Sequence, residues 1–306
     1  MGKYWFLSAF TINTFINRKD GSDMISAFGI AGGDLRQIYL ARALANDGCR
    51  VYLSCLENAP GREGFPQVGL SLLAEKCEAV LLPLPATRDG LYLNTPLSNM
   101  EIRLDDSFAR LFGGKRVFGG MMAKLVASSP LWQQVRYGDY YAREELVAGN
   151  AYLTAEGAVA LAVQEHPGTL GGARCLVTGY GRIGKALCGM LRGMGAQVFC
   201  SARKDSDLTC IRAAGYQALR YGETARPFDL IFNTVPARVI GEEALACQSQ
   251  DVLAVELASA PGGIDLEAAE AAGVRVLLAP SLPGRMSPKA SGELIQEAVY
   301  HMLREE

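Results

Sequence analysis

The fold of this chain is constrained most by residues 179–184, which read Gly-Tyr-Gly-Arg-Ile-Gly. An apolar segment of strand length, residues 173–178, precedes this glycine turn. A helical segment follows over residues 185–194, and a second strand is predicted over residues 197–201. A strand, a glycine turn, a helix and a strand in this order are what a dinucleotide-binding unit requires. The sequence therefore predicts such a unit here; a structural turn without a ligand is the alternative.

Each glycine of the turn has its own physical task. Gly179 permits the tight turn, Gly181 lets backbone N–H groups approach a pyrophosphate, and Gly184 lets the helix pack close to the strand. The helix N-terminus adds unpaired N–H groups and a partial positive charge. The predicted cofactor contacts of the turn are the three glycines together with Tyr180, Arg182 and Ile183.

The tip of the second strand indicates which nicotinamide cofactor is bound. NAD sites usually place an acidic residue about twenty residues after the glycine turn. Here the strand ends at Ser201. Two cations, Arg203 and Lys204, follow it, and the first acidic residue, Asp205, comes only in the next turn. A hydroxyl and two cations suit a 2′-phosphate, because a guanidinium grips it and an ammonium neutralises it. The pattern favours NADP over NAD; alternatively, both cations cover a solvated loop.

Later strand ends are predicted to contact the cofactor as well, since ligands bind beyond the carboxyl ends of the strands in an open α/β sheet. Strands are predicted over residues 230–234 and 252–257. The cofactor contacts predicted at their ends are Thr234, Val235, Pro236 and Ser259.

Length and composition indicate two domains and exclude several classes of partner. A chain of 306 residues can form two domains, each with its own core. A net charge of −2 and the lack of a Lys/Arg-rich run make nucleic acid and anionic membranes poor candidate partners. Eight scattered cysteines, without a CxxC pair or a Cys/His cluster, indicate a reducing compartment, no disulfide frame and no metal site. Cys175, Cys188 and Cys200 are assigned to core packing.

The predicted fold is α/β, with two Rossmann-like open parallel-sheet domains and a substrate cleft between them. Residues 24–150 form the N-terminal substrate domain; its glycines lack the dinucleotide spacing, so it is not expected to hold the cofactor. Residues 151–286 form the NADP-binding domain, entered through a helix with Thr154 and Gly157 as an imperfect cap. A last helix over residues 287–304 completes the N-terminal domain. Residues 1–23 are an extension without an assigned function.

Several motifs between Met24 and Leu303 carry a resemblance to a known family. They are residues 32–37 (GGDLRQ), 154–157 (TAEG), the glycine turn, 257–263 (LASAPGG), 279–284 (APSLPG) and 287–289 (SPK). With these motifs the chain resembles the A subunits of dipicolinate synthases. Alanine dehydrogenases and 2-hydroxyacid dehydrogenases share the architecture but are less similar elsewhere.

The resemblance implies an activity, partners and a location. The family oxidises a cyclic hydroxy-tetrahydrodipicolinate, with loss of water and reduction of NADP, to pyridine-2,6-dicarboxylate (dipicolinate), which accumulates in spores. It implies a small dicarboxylate substrate, a partner that is a flavoprotein-like B subunit, and the mother-cell cytoplasm of a sporulating bacterium. The oligomeric state stays open, a homo-oligomer included.

A substrate with two carboxylates needs cations or N–H donors at both ends, and its oxidation needs an acid–base group. The histidines, His166 and His301, lie in a connector and at the tail of the last helix, so carboxyl groups are better placed. The predicted catalytic residues are Asp34, Glu156 and Lys289, and the predicted substrate ligands are Arg36, Gln37, Arg285 and Ser287. Alternatively, the carboxyl groups cap helices or orient an arginine, and the cations are solvated.

Two other functions stay open at this stage. One is a dehydrogenase for an amino acid or a 2-hydroxy acid. The other is a cofactor-binding assembly subunit whose partner carries the chemistry, which the scarcity of histidine favours modestly.

Overall fold

The computed structural model describes residues 25–305, so the predicted extension 1–23 lies outside the described residues. The chain divides into two compact units. The first runs up to Val147 and includes the chain from Pro288 onward, and the second is Ala148–Ser287. Each unit has its own sheet.

Strands and helices alternate along both units. The strands are β1 (Ala27–Ala31), β2 (Arg50–Ser54), β3 (Ala79–Leu81), β4 (Arg116–Gly119), β5 (Arg136–Asp139), β6 (Arg174–Thr178), β7 (Gln197–Ser201), β8 (Gln217–Leu219), β9 (Leu230–Asn233), β10 (Leu253–Glu256) and β11 (Arg275–Leu278). The α-helices are α1 (Leu35–Asn46), α2 (Leu70–Lys76), α3 (Asp106–Leu111), α4 (Ala123–Val126), α5 (Glu144–Glu165), α6 (Arg182–Gly193), α7 (Asp205–Ala213), α8 (Glu242–Ala246), α9 (Leu266–Ala271), α10 (Leu282–Met286) and α11 (Pro288–Glu305).

All pairings between these strands are parallel. The first unit has the strand order β2-β1-β3-β4-β5, and the second has β11-β10-β9-β6-β7-β8. The second order is that of a dinucleotide-binding fold, and its topological switch point lies between β6 and β9. The predicted class, an α/β protein with two Rossmann-like parallel sheets, is confirmed.

Both faces of the second sheet are buried, as is usual for a parallel sheet with helices on both sides. Along β6, Cys175 and Val177 pack into one apolar cluster, and Leu176 packs into a second cluster on the opposite face. Cys188 and Cys200 belong to the first cluster, and neither is exposed. The packing role predicted for the three cysteines is confirmed.

Helix α5 begins earlier than predicted and has no cap at Thr154. It starts at Glu144, and the acidic residues of its first turn suit the positive end of the helix dipole. Thr154 lies in the helix interior, where its hydroxyl donates to the carbonyl oxygen of Asn150 (2.8 Å). Gly157 permits close packing instead, since a Cβ there would lie 3.1 Å from the Cβ of Leu282. The two residues that resembled a cap are therefore interior residues of a longer helix.

Among residues 25–305, α5 is the one helix that is long and apolar enough to cross a membrane by length and composition. Its Ala155, Ala158 and Ala162 are fully buried in the core of the second unit. Packing inside the protein accounts for the apolar character of this face.

The last helix, α11, packs very closely against α1, and Gly292 makes this approach possible. A Cβ at Gly292 would lie 2.7 Å from the carbonyl oxygen of Arg36 and 2.8 Å from the amide nitrogen of Leu40. Because these are backbone atoms, they cannot turn aside as a side chain would. We expect Gly292→Ala to lower the free energy of unfolding by about 1–3 kcal/mol through overpacking, measured by denaturant titration. The exposed change Glu293→Ala should stay within about 0.5 kcal/mol; equal losses would contradict the close approach.

Candidate active site

The glycine turn follows β6 at the switch point, and two of its positions accept only glycine. Gly179 has φ +90°, and a Cβ there would lie 2.6 Å from Thr234 Oγ1 and 2.8 Å from Val235 Cγ2. A Cβ on Gly184 would overlap the carbonyl oxygen of Gly179. The tight turn and the close helix packing expected of these glycines are therefore present.

Gly181 leaves an open space at the N-terminus of α6. It is the N-cap residue in an extended conformation, with no side-chain cap, and a Cβ placed there would meet no heavy atom within 4 Å. The first N–H groups of α6 and the positive end of its dipole lie at this space. A pyrophosphate suits such a place, and a β-carbon would intrude on it. The residues present therefore fit the pyrophosphate of a dinucleotide cofactor.

The other three residues of the turn divide between core and surface. Tyr180 and Ile183 pack, partly buried, against the core of the second unit. The ammonium of Lys185 lies 5.3 Å from the centre of the Tyr180 ring, and burial raises the pKa of Tyr180. Arg182, the first residue of α6, is exposed. Of these three side chains, Arg182 is the one accessible to a phosphate, while Tyr180 and Ile183 support the turn by packing.

Two exposed cations follow β7. Arg203 and Lys204 make no hydrogen bond or ion pair within the described residues. Asp205, the next residue, pairs with Arg220, which partly neutralises the nearest carboxylate. Ser201 is fully buried, and its Oγ has no hydrogen-bond partner among residues 25–305. Of the three residues predicted to bind a 2′-phosphate, the two cations are accessible and the serine is not.

Buried polar side chains join three strand ends at the switch point. Thr178, which ends β6, donates its hydroxyl to Asn233 Oδ1 at the end of β9. Asn233 Nδ2 donates to Glu256 Oε1 at the end of β10 (2.6 Å) and to the carbonyl oxygen of Val235 (2.9 Å). Thr178, Asn233 and Glu256 belong to none of the sites predicted from the sequence. The signal that could have found them is a polar residue closing each of three apolar strands.

In the first unit, the turn between β1 and α1 holds an ion pair between a half-buried carboxylate and a buried guanidinium. Asp34 caps α1 by accepting the Arg36 N–H (3.1 Å), and its carboxylate accepts from Arg36 Nε (2.9 Å) and Nη2 (2.8 Å). Arg36 Nη2 also donates to the carbonyl oxygen of Leu84, beyond β3. Burial alone would lower the pKa of Arg36, but the hydrogen bond and the charge of Asp34 outweigh it, so this pKa is raised. Asp34 therefore both caps the helix and orients Arg36.

Gln37 is buried beside this pair. Its Nε2 donates to the carbonyl oxygen of Leu82 (3.0 Å), which also accepts the hydroxyl of Tyr140 (2.8 Å). Complete burial raises the pKa of Tyr140. Gln37 is 1% exposed, and its Oε1 has no partner in the part of the chain that the structure describes. In this conformation Gln37 holds the segment after β3, and a substrate could reach its amide only after a rearrangement.

The other predicted catalytic and substrate residues are accessible. In the first unit, Lys289 is the second residue of α11. Its side chain is 72% exposed, and its Nζ lies 3.9 Å from Glu293 Oε1. In the second unit, Glu156 is exposed on α5, Arg285 is exposed on α10, and Ser287 follows α10 half-buried. The predicted substrate cleft stays a prediction.

Two parallel sheets, the second with a dinucleotide strand order and a glycine turn at its switch point, define an α/β protein of the Rossmann-like class. Within that class, the chain is similar to the A subunits of dipicolinate synthases. Residues 27–137 match the family model for the N-terminal domain of the dipicolinate synthase A subunit. The chain is 27% identical over 282 residues to the A subunit of dipicolinate synthase of Bacillus subtilis strain 168, covering 90% of this chain and 95% of that relative.

Solved structures agree with this likeness. The A subunit of the Bacillus halodurans dipicolinate synthase has a TM-score of 0.80 and 27% identity, covering 92% of this chain and 98% of that chain. An L-alanine dehydrogenase, with a TM-score of 0.60 and 16% identity, covers 90% of this chain and 88% of its own, and shares the fold alone. The resemblance to dipicolinate synthase A subunits that the motifs indicate is therefore confirmed over nearly the whole chain.

Proposed function

We propose that this chain oxidises a cyclic hydroxy-tetrahydrodipicolinate to dipicolinate with NADP as the hydride acceptor. The observation that carries the proposal is the open glycine turn at α6 together with two accessible cations after β7. The similarity to the A subunits of dipicolinate synthases suggests the substrate, and it suggests a B subunit of that enzyme as the partner. In the balanced reaction the substrate loses one water, one hydride passes to NADP⁺ and one proton is released, which leaves the aromatic pyridine ring.

The second unit has the groups to bind the cofactor. The N–H groups at the start of α6 and the guanidinium of Arg182 hold the pyrophosphate, and Arg203 and Lys204 bind the 2′-phosphate. Thr234 is a further proposed cofactor contact, and its side chain is held in position because its hydroxyl donates to the carbonyl oxygen of Thr178 (2.7 Å). The further contacts proposed at the ends of β9 and β10 are Val235, Pro236 and Ser259. When bound, the cofactor supplies the hydride acceptor, and the protein orients it.

The cations proposed for the substrate differ in how firmly they are held. Arg36 is fixed by Asp34 and by the carbonyl oxygen of Leu84, and its Nη1 has no partner among the described residues. A guanidinium ordered in advance loses less entropy when it binds a carboxylate. Arg285 and Lys289 are accessible cations for the other carboxylate. Glu156, exposed on α5, is the proposed proton acceptor.

Product formation tests this function. The full chain is mixed with NADP and the freshly made condensation product of pyruvate and aspartate semialdehyde. We expect the ultraviolet absorption of a pyridine ring and one reduced nicotinamide per dipicolinate, with protein-free and NADP-free mixtures as controls. Turnover of alanine or a 2-hydroxy acid without pyridine formation would contradict the proposal. Activity that emerges only once a partner protein is added would assign the chemistry to the assembly.

A further inference from the structure

We propose that Glu256 is a positioning residue, which holds the loop of residues 258–264 in place for the nicotinamide half of the cofactor. The inference rests on the proposed function, because it concerns how the same nucleotide is bound. Glu256 is the last residue of β10 and is 6% exposed. It is therefore a buried carboxyl group at the edge of the sheet where ligands bind.

The side chain of Glu256 is fully occupied by hydrogen-bond donors. Its Oε1 accepts from Asn233 Nδ2 (2.6 Å) and the Ala258 N–H (2.9 Å). Its Oε2 accepts from the N–H groups of Gly263 (2.8 Å) and Ile264 (3.0 Å). Four donors match an ionised carboxylate, which only accepts. Burying such a group is costly unless it is hydrogen-bonded. Its contribution is therefore to close the loop, which an apolar residue could not do.

The loop is built directly against this network. Gly262 has φ +81°, and a Cβ there would lie 3.1 Å from Glu256 Oε2. A Cβ at Gly263 would lie 2.5 Å from both Asn233 Nδ2 and the carbonyl oxygen of Val235. Side chains are thus excluded where the loop meets the network. The hydrogen bonds to Glu256 hold the loop at residues 258, 263 and 264, alongside the N–H groups of Val239 and Ile240, which donate to the carbonyl oxygen of Gly263 (2.9 and 3.0 Å).

The strand order indicates which half of the nucleotide lies over this loop. The cations proposed for the 2′-phosphate, Arg203 and Lys204, follow β7 on one side of the switch point. Strands β9 and β10 lie on the other side. A dinucleotide whose pyrophosphate crosses at the β6 turn and whose adenosine lies over β7 must extend its nicotinamide half toward β9 and β10. Through Asn233 and Thr178, Glu256 ties the β10 loop to the strand that carries the glycine turn.

The test separates the nicotinamide half from the rest of the nucleotide. Glu256→Gln keeps the size of the side chain but replaces one acceptor oxygen with an NH2 group. This NH2 group would face N–H groups that now donate to Glu256, so at least one buried N–H would lose its acceptor. We expect the affinity for NADP to fall about tenfold. The affinity for adenosine 2′,5′-bisphosphate, which lacks the nicotinamide half, should stay within about twofold. Both are measured by calorimetric titration of the full chain.

Two further variants make the result interpretable. Asp139 holds a loop of the first unit in a comparable way, accepting from the N–H groups of Met121 (3.0 Å), Met122 (2.9 Å) and Tyr141 (2.9 Å). Asp139→Asn should therefore destabilise the chain similarly and leave NADP affinity unchanged. Gly262→Ala disturbs the loop while keeping the carboxylate, and should reproduce the selective loss even where Glu256→Gln does not fold.

The outcomes distinguish this inference from the proposed function. A wild-type chain that binds neither NADP nor the bisphosphate would overturn both. A wild-type chain that binds NADP, with Glu256→Gln and Gly262→Ala binding it equally well, would overturn the positioning role alone. Equal losses for NADP and the bisphosphate would also overturn it, because they would indicate a general structural role.

Discussion

Replacing Gly181 with valine is expected to leave the fold intact and to lower the affinity for NADP about 100-fold, which is about 2.7 kcal/mol. The backbone of Gly181 has φ −79° and ψ −163°, an extended conformation with negative φ that does not require glycine. A Cβ there would meet no heavy atom of the protein within 4 Å. The side chain would therefore extend from a Cβ free of contacts into the open space at the start of α6, where a pyrophosphate is proposed to bind.

Calorimetric titration with NADP and thermal unfolding together measure this effect. Gly189→Ala on the same helix is the matched control, since its Cβ would come no closer than 3.9 Å to another group, the Tyr216 hydroxyl. It should bind NADP normally and gain about 0.5–1 kcal/mol of stability. Undiminished NADP binding by Gly181→Val would rule out the glycine turn as the pyrophosphate site.

Arg203→Asp is expected to lower the affinity for NADP about 100-fold while changing the affinity for NAD about threefold or less. Arg203 is exposed and unpaired within the described residues, so its guanidinium is available to a 2′-phosphate. The substitution removes charge-assisted hydrogen bonds and adds a repulsive carboxylate. NAD carries a hydroxyl in place of the 2′-phosphate, so its affinity should change little.

The matched control is Arg212→Asp, which makes the same charge change at another exposed position of the same region, near the end of α7. It should leave both affinities near the wild-type values, because a screened surface charge acts weakly over distance. Equal losses for NADP and NAD in Arg203→Asp would mean that the cations after β7 do not recognise the 2′-phosphate.

Elements marked by local chemistry could be predicted from the sequence. The sequence predicts a helix over residues 35–46, and α1 has these bounds, because Asp34 caps it and an apolar face repeats along it. Strand β7 also has its predicted bounds, being a short apolar run after a glycine. Strands β5 and β8 could not be predicted, because they are edge strands of four and three residues that contain no apolar run long enough to detect.

The candidate site likewise has a part that the sequence predicts and a part that only the folded structure reveals. The glycine turn is readable because the positive φ of Gly179 and the contact of Gly184 with the carbonyl oxygen of Gly179 both act within six residues. The Thr178–Asn233 and Asn233–Glu256 contacts join residues 55 and 23 positions apart, and their pairing depends on the strand order. Ser201 and Gln37 are predicted ligand contacts that the folded chain buries. Because both are polar, the sequence alone does not indicate this burial.

A titration of the full wild-type chain with NADP and with NAD under identical conditions is the most direct test of a nucleotide site in the second unit. Saturable binding of NADP is expected, with an affinity about tenfold or more above that for NAD, because only NADP offers a phosphate to Arg203 and Lys204. Equal affinities would contradict the cofactor preference, and no binding of either nucleotide would contradict the site itself.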